Sequence, residues 1–397
     1  MDQQLTSVKE AFRKELIENV LPFWMIKTID NLKGGFWGRL DFTGTPDPLA
    51  PKGAILNARI LWTFSALYNQ MRNKEFIEVA DRAYEYISTH FLDKEYGGVH
   101  WKLDSSGQPV ESKKQIYAIA FMIYAFSEYF RVTGNKNVLE ESIDLYKVIE
   151  KYSFDTVHGG YLEAFSREWD SLEDLRLSNI DENEKKTLNT HLHLLEAYTG
   201  LFQVWPDEDL KNKLSALATL FSDRFISDNQ EYFKLFFDEQ WNLRSDRISP
   251  GHDIETAWLL LETARTLEDK SLTSKAERIS LNIADSVIRT GMDETGGLVY
   301  ERNHEKITNY NKEWWCHVEA LVGFHNAWEI SGDKRFAEMV QKMWDFITNY
   351  FIDRVNGEWH FRIDRQGRPY NDLDKAGFWK CPYHTVRACL ELIRRIG

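Results

Sequence analysis

Gly34-Gly35-Phe36-Trp37 returns along the chain as Gly97-Gly98-Val99-His100-Trp101, Gly159-Gly160-Tyr161-Leu162, Gly296-Gly297-Leu298-Val299-Tyr300 and Gly357-Glu358-Trp359-His360. Each copy reads as a tight turn followed by a short alternating aromatic strand. A weaker copy, Glu231-Tyr232-Phe233-Lys234-Leu235, fills the gap between Gly160 and Gly296, so the motif occurs six times at spacings of roughly 60 to 70 residues. Such a period is the mark of a repeat architecture.

A second signal runs in step with the first. Short polar turns stand at Arg72-Asn73-Lys74, Thr133-Gly134-Asn135-Lys136, Pro206-Asp207-Glu208, Glu268-Asp269-Lys270 and Ser331-Gly332-Asp333-Lys334. The segments ahead of them (60–68, 116–130, 192–202, 257–267, 318–330) carry apolar residues at helical spacing nearly all round. Their partners (75–90, 139–152, 335–350) show one charged face. Each repeat therefore reads helix, short turn, helix, long Gly-rich loop. Six such pairs predict an all-α (α/α)6 barrel, a ring of inner helices wrapped by outer ones, with short β-ribbons in the long inter-helix loops. An open solenoid is the alternative, but it needs polar terminal caps, and the last segment, 385–396, is apolar. No Ser/Pro/Gly linker divides the chain, so one catalytic domain over residues 1–397 is expected.

The 397 residues carry a net charge of −13, which argues against a nucleic-acid or anionic-membrane surface. No stretch approaches the length of a membrane span. The first residues, with Asp2, Lys9, Glu10 and Arg13, lack the apolar core of a signal peptide, so a cytoplasmic monomer is expected. The three cysteines, Cys316, Cys381 and Cys389, are too few for a disulfide framework. The 14 Trp are the one compositional excess: flat aromatic faces suit sugars, although most of them belong to the core in a large helical protein.

In a barrel of this kind the same end of every inner helix points at one axial cavity. Reading those ends gives Asn57 and Arg59, then Tyr117, then Asn189 with His193 and Glu196, then His252 with Glu255, then Trp314, Trp315 and Glu319, and last Trp379 with His384. A single buried histidine is more often a satisfied core residue than a catalyst. Three at matching repeat phase are a different matter. His193 shares a helix face with Asn189 and Glu196, whereas His191 is turned away. His252 follows Pro250-Gly251 and His384 follows Pro382, so both start helices, where the dipole favours the neutral imidazole that a general base needs. Trp315 and Trp379 are expected at the open end. Cys316, His317 and Cys381 are conceivable zinc ligands, but consecutive residues on a helix diverge, and no metal is expected. No phosphate loop, nucleophile elbow or dinucleotide fingerprint occurs, so no cofactor is expected either.

At these residues the chain resembles the N-acylglucosamine 2-epimerase superfamily, and within it the cellobiose 2-epimerases. The resemblance runs from Leu21-Pro22-Phe23-Trp24 through Asn57-Ala58-Arg59-Ile60-Leu61-Trp62, Tyr96 to Val99, Asn189 to Tyr198, Gly251 to Glu255 and Trp314-Trp315 to Trp379-Lys380-Cys381-Pro382-Tyr383-His384. It implies an (α/α)6 barrel and cofactor-independent inversion at C2 of a reducing-end aldose, and a second sugar stacked on Trp315 and Trp379 would make cellobiose or lactose the expected substrates. Catalytic roles would fall on His193, His252 and His384. Arg59, Tyr117, Asn189, Glu255, Trp315, Glu319 and Trp379 would surround the sugar. The mannose 2-epimerases share this set, so mannose is the alternative substrate. A glycoside hydrolase, which needs two flanking carboxylates, and a sugar-binding module are remoter rivals.

Overall fold

A computed structural model describes residues 2–396. Among these described residues, twelve α-helices alternate between two shells. The inner ones are α2 (Ala54–Met71), α4 (Ile116–Thr133), α6 (Leu188–Val204), α8 (Pro250–Thr266), α10 (Trp314–Ser331) and α12 (Tyr383–Arg395). The outer ones are α1 (Asp2–Glu15), α3 (Lys74–Tyr86), α5 (Lys136–Tyr152), α7 (Glu208–Leu220), α9 (Lys270–Thr290) and α11 (Lys334–Tyr350). Each inner helix packs on the next, and α12 packs back on α2, so the ring closes and the open solenoid is excluded. The polar turns become the N-caps of the outer helices: Asn73, Asn135, Asp207, Asp269 and Asp333 each accept a backbone N–H of the first turn. The outer helix missing from the sequence reading is α1, which packs on α11 and α12 and completes the sixth pair from the other end of the chain.

The glycine turns close against the ends of the outer helices through Ile29–Phe36, Leu92–Val99, Phe154–Tyr161, Ile226–Phe233, Met292–Leu298 and Ile352–Trp359 bridges. Beyond each turn the chain pairs with the segment leading into an inner helix of the neighbouring repeat. Four of these ribbons join strands β1 (Lys52–Gly53) to β2 (Lys102–Leu103), β4 (Lys114–Gln115) to β5 (Ala164–Phe165), β6 (Lys186–Thr187) to β7 (Phe236–Phe237) and β10 (Lys312–Glu313) to β11 (Arg362–Ile363). Single bridges from Ile248 to Arg302 and from Leu40 to Ala376 complete the circle. Strands β3 (Pro109–Glu111), β8 (Glu301–Arg302) and β9 (Ile307–Asn309) widen two of the ribbons.

A buried ion pair pins five of the six ribbons to their turns. Lys52 meets Asp30 at 2.8 Å, Lys114 meets Asp93 at 2.7 Å, Lys186 meets Asp155 at 2.7 Å, Lys312 meets Asp293 at 2.6 Å and Lys375 meets Asp353 at 2.7 Å. The second oxygen of each aspartate accepts backbone amides two or three residues on, which shapes the glycine turn. The fourth repeat, the weak one in sequence, has neither partner. Ser227 receives the turn amides of Glu231 and Tyr232, and the buried Ile248 stands where the lysine would. Anion and cation are absent together, as expected if either alone is an uncompensated charge in the core. Asp293→Ser should therefore cost about 3 to 5 kcal/mol of stability. Asp293→Ser/Lys312→Ile, which copies the fourth repeat, should recover most of it in denaturant unfolding. A single variant within about 1 kcal/mol of the parent would deny the pair its role.

Candidate active site

The inner helices all present their N-terminal ends to one mouth, because every ribbon leads into a helix start. A cavity of about 260 Å³ opens there. Arg59, Tyr117, Asn189, His193, His252, Glu255, Trp315, Trp379 and His384 line it; of the residues expected around the sugar, only Glu319 stands behind the wall. The residues occupy two levels. Tyr117, Asn189, His252, Trp315 and His384 lie in the first turns of α4, α6, α8, α10 and α12, whereas Arg59, His193, Glu255 and Glu319 lie one turn deeper on α2, α6, α8 and α10. Trp379 is on the loop ahead of α12.

Each histidine is held from behind. His384 Nδ1 is 2.7 Å from Glu319 Oε1 and 3.8 Å from Glu255 Oε1. His193 Nδ1 is 3.0 Å from Glu196 Oε2, and His252 Nδ1 is 2.8 Å from the Ser249 hydroxyl, the residue just ahead of α8. A carboxylate can only accept from a ring N–H, which leaves Nε2 of His193 and His384 as the lone-pair nitrogen. Burial holds all three imidazoles neutral. It pushes His252 down to about 3, with the neighbouring His193 acting in the same direction. His193 is lowered by burial against the opposing pull of Glu196. For His384 the Glu319 carboxylate favours an imidazolium, but burial and the guanidiniums of Arg59 and Arg387 oppose it and prevail, so its pKa falls well below the usual value.

Arg59 is 3% exposed and forms no ion pair among the described residues. Its Nη2 donates to the Tyr117 hydroxyl at 2.8 Å, Nη1 approaches Cys381 Sγ at 3.7 Å, and the face of the guanidinium rests on Phe121. A permanently charged group without an anion, at the wall of a buried cavity, is built to meet negative charge brought by a ligand or made during a reaction.

The carboxylates divide the remaining work. Burial and the neighbouring Glu319 raise Glu255 to about 7. Burial would also raise Glu196, but Arg387 and His193 outweigh it and hold its carboxyl low. Arg387 was not singled out in the sequence, and it is the centre of this layer: its guanidinium donates to Glu196, Glu255, Glu319 and the Tyr383 hydroxyl. The signal for it was present. Pro250-Gly251-His252-Asp253-Ile254-Glu255 aligns with Pro382-Tyr383-His384-Thr385-Val386-Arg387, so Arg387 occupies the place of Glu255 one third of the way round the ring. Glu255, Glu319 and His384 bring three ligand atoms within 4.8 Å of one another, a metal-like grouping, but the Arg387 guanidinium already bonds both carboxylates.

Several expectations are refined. Trp315 is not at the open end. Its Nε1 donates to Glu313 at 2.6 Å, which draws the ring into the wall, 4.8 Å from the His252 ring and 5.6 Å from the His384 ring. Trp379 does stand at the mouth, between the cavity and an outer groove that also touches Trp101, Lys113 and Arg176. His191 and His317 are structural: Nδ1 of each bonds a carbonyl of the preceding turn, and Nε2 accepts the amide of Tyr161 or Leu298. With both ring nitrogens committed, His317 has no atom to offer a metal beside Cys316 and Cys381. The loops supply wall residues that helical periodicity could not reveal: Leu177, Ser178, Ile180 and Asp181 before α6, Tyr300 before α10, and Phe361 and Arg362, the latter gripping Glu313.

The fold and this cavity define a helical-barrel enzyme with a histidine-lined centre. The chain belongs to the N-acylglucosamine 2-epimerase (GlcNAc 2-epimerase) family, which it matches over residues 35–388. It is 43% identical to a cellobiose 2-epimerase of Bacteroides fragilis across 97% of this chain and 98% of that one. It is 38% identical to a cellobiose 2-epimerase of Dictyoglomus turgidum across 99% and 100% of the two chains. The solved cellobiose 2-epimerase of Bacillus thermoamylovorans superposes with a TM-score of 0.93 at 37% identity, covering 98% of this chain and 100% of that one.

The lowered histidine pKa values set a pH dependence. An unfolded chain binds protons at its histidines below about pH 6.5. The folded chain leaves these three neutral, so folding loses stability as pH drops below that value. ¹⁵N spectra should accordingly show no imidazolium at His193, His252 or His384 between pH 6 and 8, and a midpoint near 6.5 at any of them would remove that residue from the neutral set.

Proposed function

We propose that the chain inverts C2 of the reducing-end glucose of β-1,4-linked disaccharides such as cellobiose and lactose, by histidine acid–base transfer through a cis-enediolate. The observation that carries this reading is the meeting of three neutral imidazoles with an unpaired guanidinium in one buried cavity. Inversion at C2 requires ring opening, removal of the proton α to the aldehyde, stabilisation of the resulting oxyanion and return of a proton to the other face. His252 and His384 each offer a neutral imidazole to the proton transfers, and His193 serves ring opening. A positioned acid or base contributes about 10² to 10⁴ in rate. A weak carbon acid needs charge stabilisation as well, and Arg59 with Tyr117 supplies it; loss of a comparable oxyanion donor costs roughly 3 to 4 kcal/mol. On this reading the whole chain acts as one catalytic domain, a cytoplasmic monomer, and needs neither metal nor nucleotide.

In D₂O the protein should exchange the C2 hydrogen of cellobiose and yield the mannose-terminated epimer. Glucose as product would mean a hydrolase, and no change would mean a binding module. His252→Ala and His384→Ala should each lose at least about a hundredfold in kcat with the circular dichroism unchanged. Retention of more than about a tenth of the activity would take that residue out of the acid–base pair.

The disaccharide preference rests on the relatives at 38 to 43% identity and on Trp379, whose ring stands between the cavity and the outer groove. A second sugar stacked there gains on the order of 1 kcal/mol beyond its burial. Trp379→Ala should therefore raise KM for cellobiose about fivefold or more while barely altering KM for mannose. An equal rise for both would mean that Trp379 meets only the reacting ring.

A further inference from the structure

Arg387 sits on the axis of the ring without lining the active cavity. It reaches instead into a second cavity of about 230 Å³ at the C-terminal ends of the inner helices, bordered by Trp62, Tyr124 and Glu128. The side chain is 3% exposed, and its Nε has no partner. Nη1 donates to Glu196 and Tyr383, and Nη2 donates to Glu255 at 2.5 Å and to Glu319 at 2.7 Å. The carboxylates that hold His193 and His384 are thus both anchored by one guanidinium, on the far oxygen of Glu196 and on the Glu319 Oε1 that faces His384. We propose, resting on the epimerase reading for its activity, that Arg387 is a positioning residue that fixes the tautomers of His193 and His384 together without touching substrate.

The argument is one of charge. Three carboxyl groups share a buried centre, and one guanidinium draws them together, holds Glu196 low and opposes the upward push that burial gives Glu255 and Glu319. Without it, at least one must take a proton. A protonated Glu319 no longer accepts from His384 Nδ1 but donates to it. The ring then carries its hydrogen on Nε2 and presents the cavity with a donor where a base is needed. The same inversion follows at His193 through Glu196.

The test uses Arg387→Ala and Arg387→Lys in the full chain. Arg387→Ala should keep the parent circular dichroism and lose at least about a hundredfold in kcat with KM altered less than about threefold. The space it leaves opens to the far cavity, so millimolar guanidinium should restore kcat about tenfold or more, whereas sodium or urea at equal concentration should not. ¹⁵N spectra should show hydrogen moving from Nδ1 to Nε2 in His384. Arg387→Lys, with a point charge in place of a fork, should fall between the two in kcat and in tautomer. Unchanged tautomers in a folded variant, KM rising in step with the fall in kcat, or absence of guanidinium rescue would overturn the proposal. If Arg387→Ala fails to fold, the Arg387→Lys tautomers decide. If the parent leaves the C2 hydrogen of cellobiose in place, the epimerase reading falls, while the spectra still judge Arg387.

Discussion

A single guanidinium against three carboxylates is the constraint around which this barrel is arranged. Glu196, Glu255 and Glu319 come from three inner helices and Arg387 from a fourth, so their meeting exists only in a closed ring. Buried carboxylates without a counter-ion cost several kcal/mol each. The same groups are needed behind the histidines, because only an ionised acceptor selects the ring nitrogen left for chemistry. The centre therefore accepts the cost of burying charge and offsets it with one forked cation. Arg59 stands in the same register on α2 and has no anion among the described residues, and that difference separates the group that serves the scaffold from the group that serves a ligand.

The rim solves a similar problem five times over. Each glycine turn carries an aspartate that is saturated by turn amides and by a lysine from the ribbon. In the fourth repeat both charges are gone, and a serine and an isoleucine keep the geometry with neutral groups. Turn shape is what the repeat conserves within this one chain, and charge is one of two ways of achieving it.

Most of the ring could be read from the sequence because two periods overlap: about 3.6 residues within a helix and about 60 between turns. Periodicity gave Tyr117, His193, His252 and His384 a common end. It could not place what has no period. Leu177 to Asp181, Tyr300 and Arg362 reach the cavity from loops whose paths depend on tertiary pairing. The place of Trp315 at the start of an inner helix points to the mouth, but a hydrogen bond to the nearby Glu313 turns it into the wall. Arg387 was legible only by laying one repeat over another, where a positive residue falls on the site of a negative one. Helix α1 escaped because its partner lies at the opposite end of the chain.

That last feature governs how the protein comes into being on the ribosome. The ring is sutured by Leu40 against Ala376, by α1 against α12 and by Lys9 Nζ on the carbonyl of Ile396. Contacts of such sequence separation form late and slowly. Until α12 emerges, the nascent chain is an open arc with an apolar edge on α2 and another on α10, and it holds three inward glutamates with no arginine between them. Synthesis from the N-terminus thus withholds both closure and the one cation at the centre until α12 is made, and an arc left open in this way exposes apolar surface in the meantime.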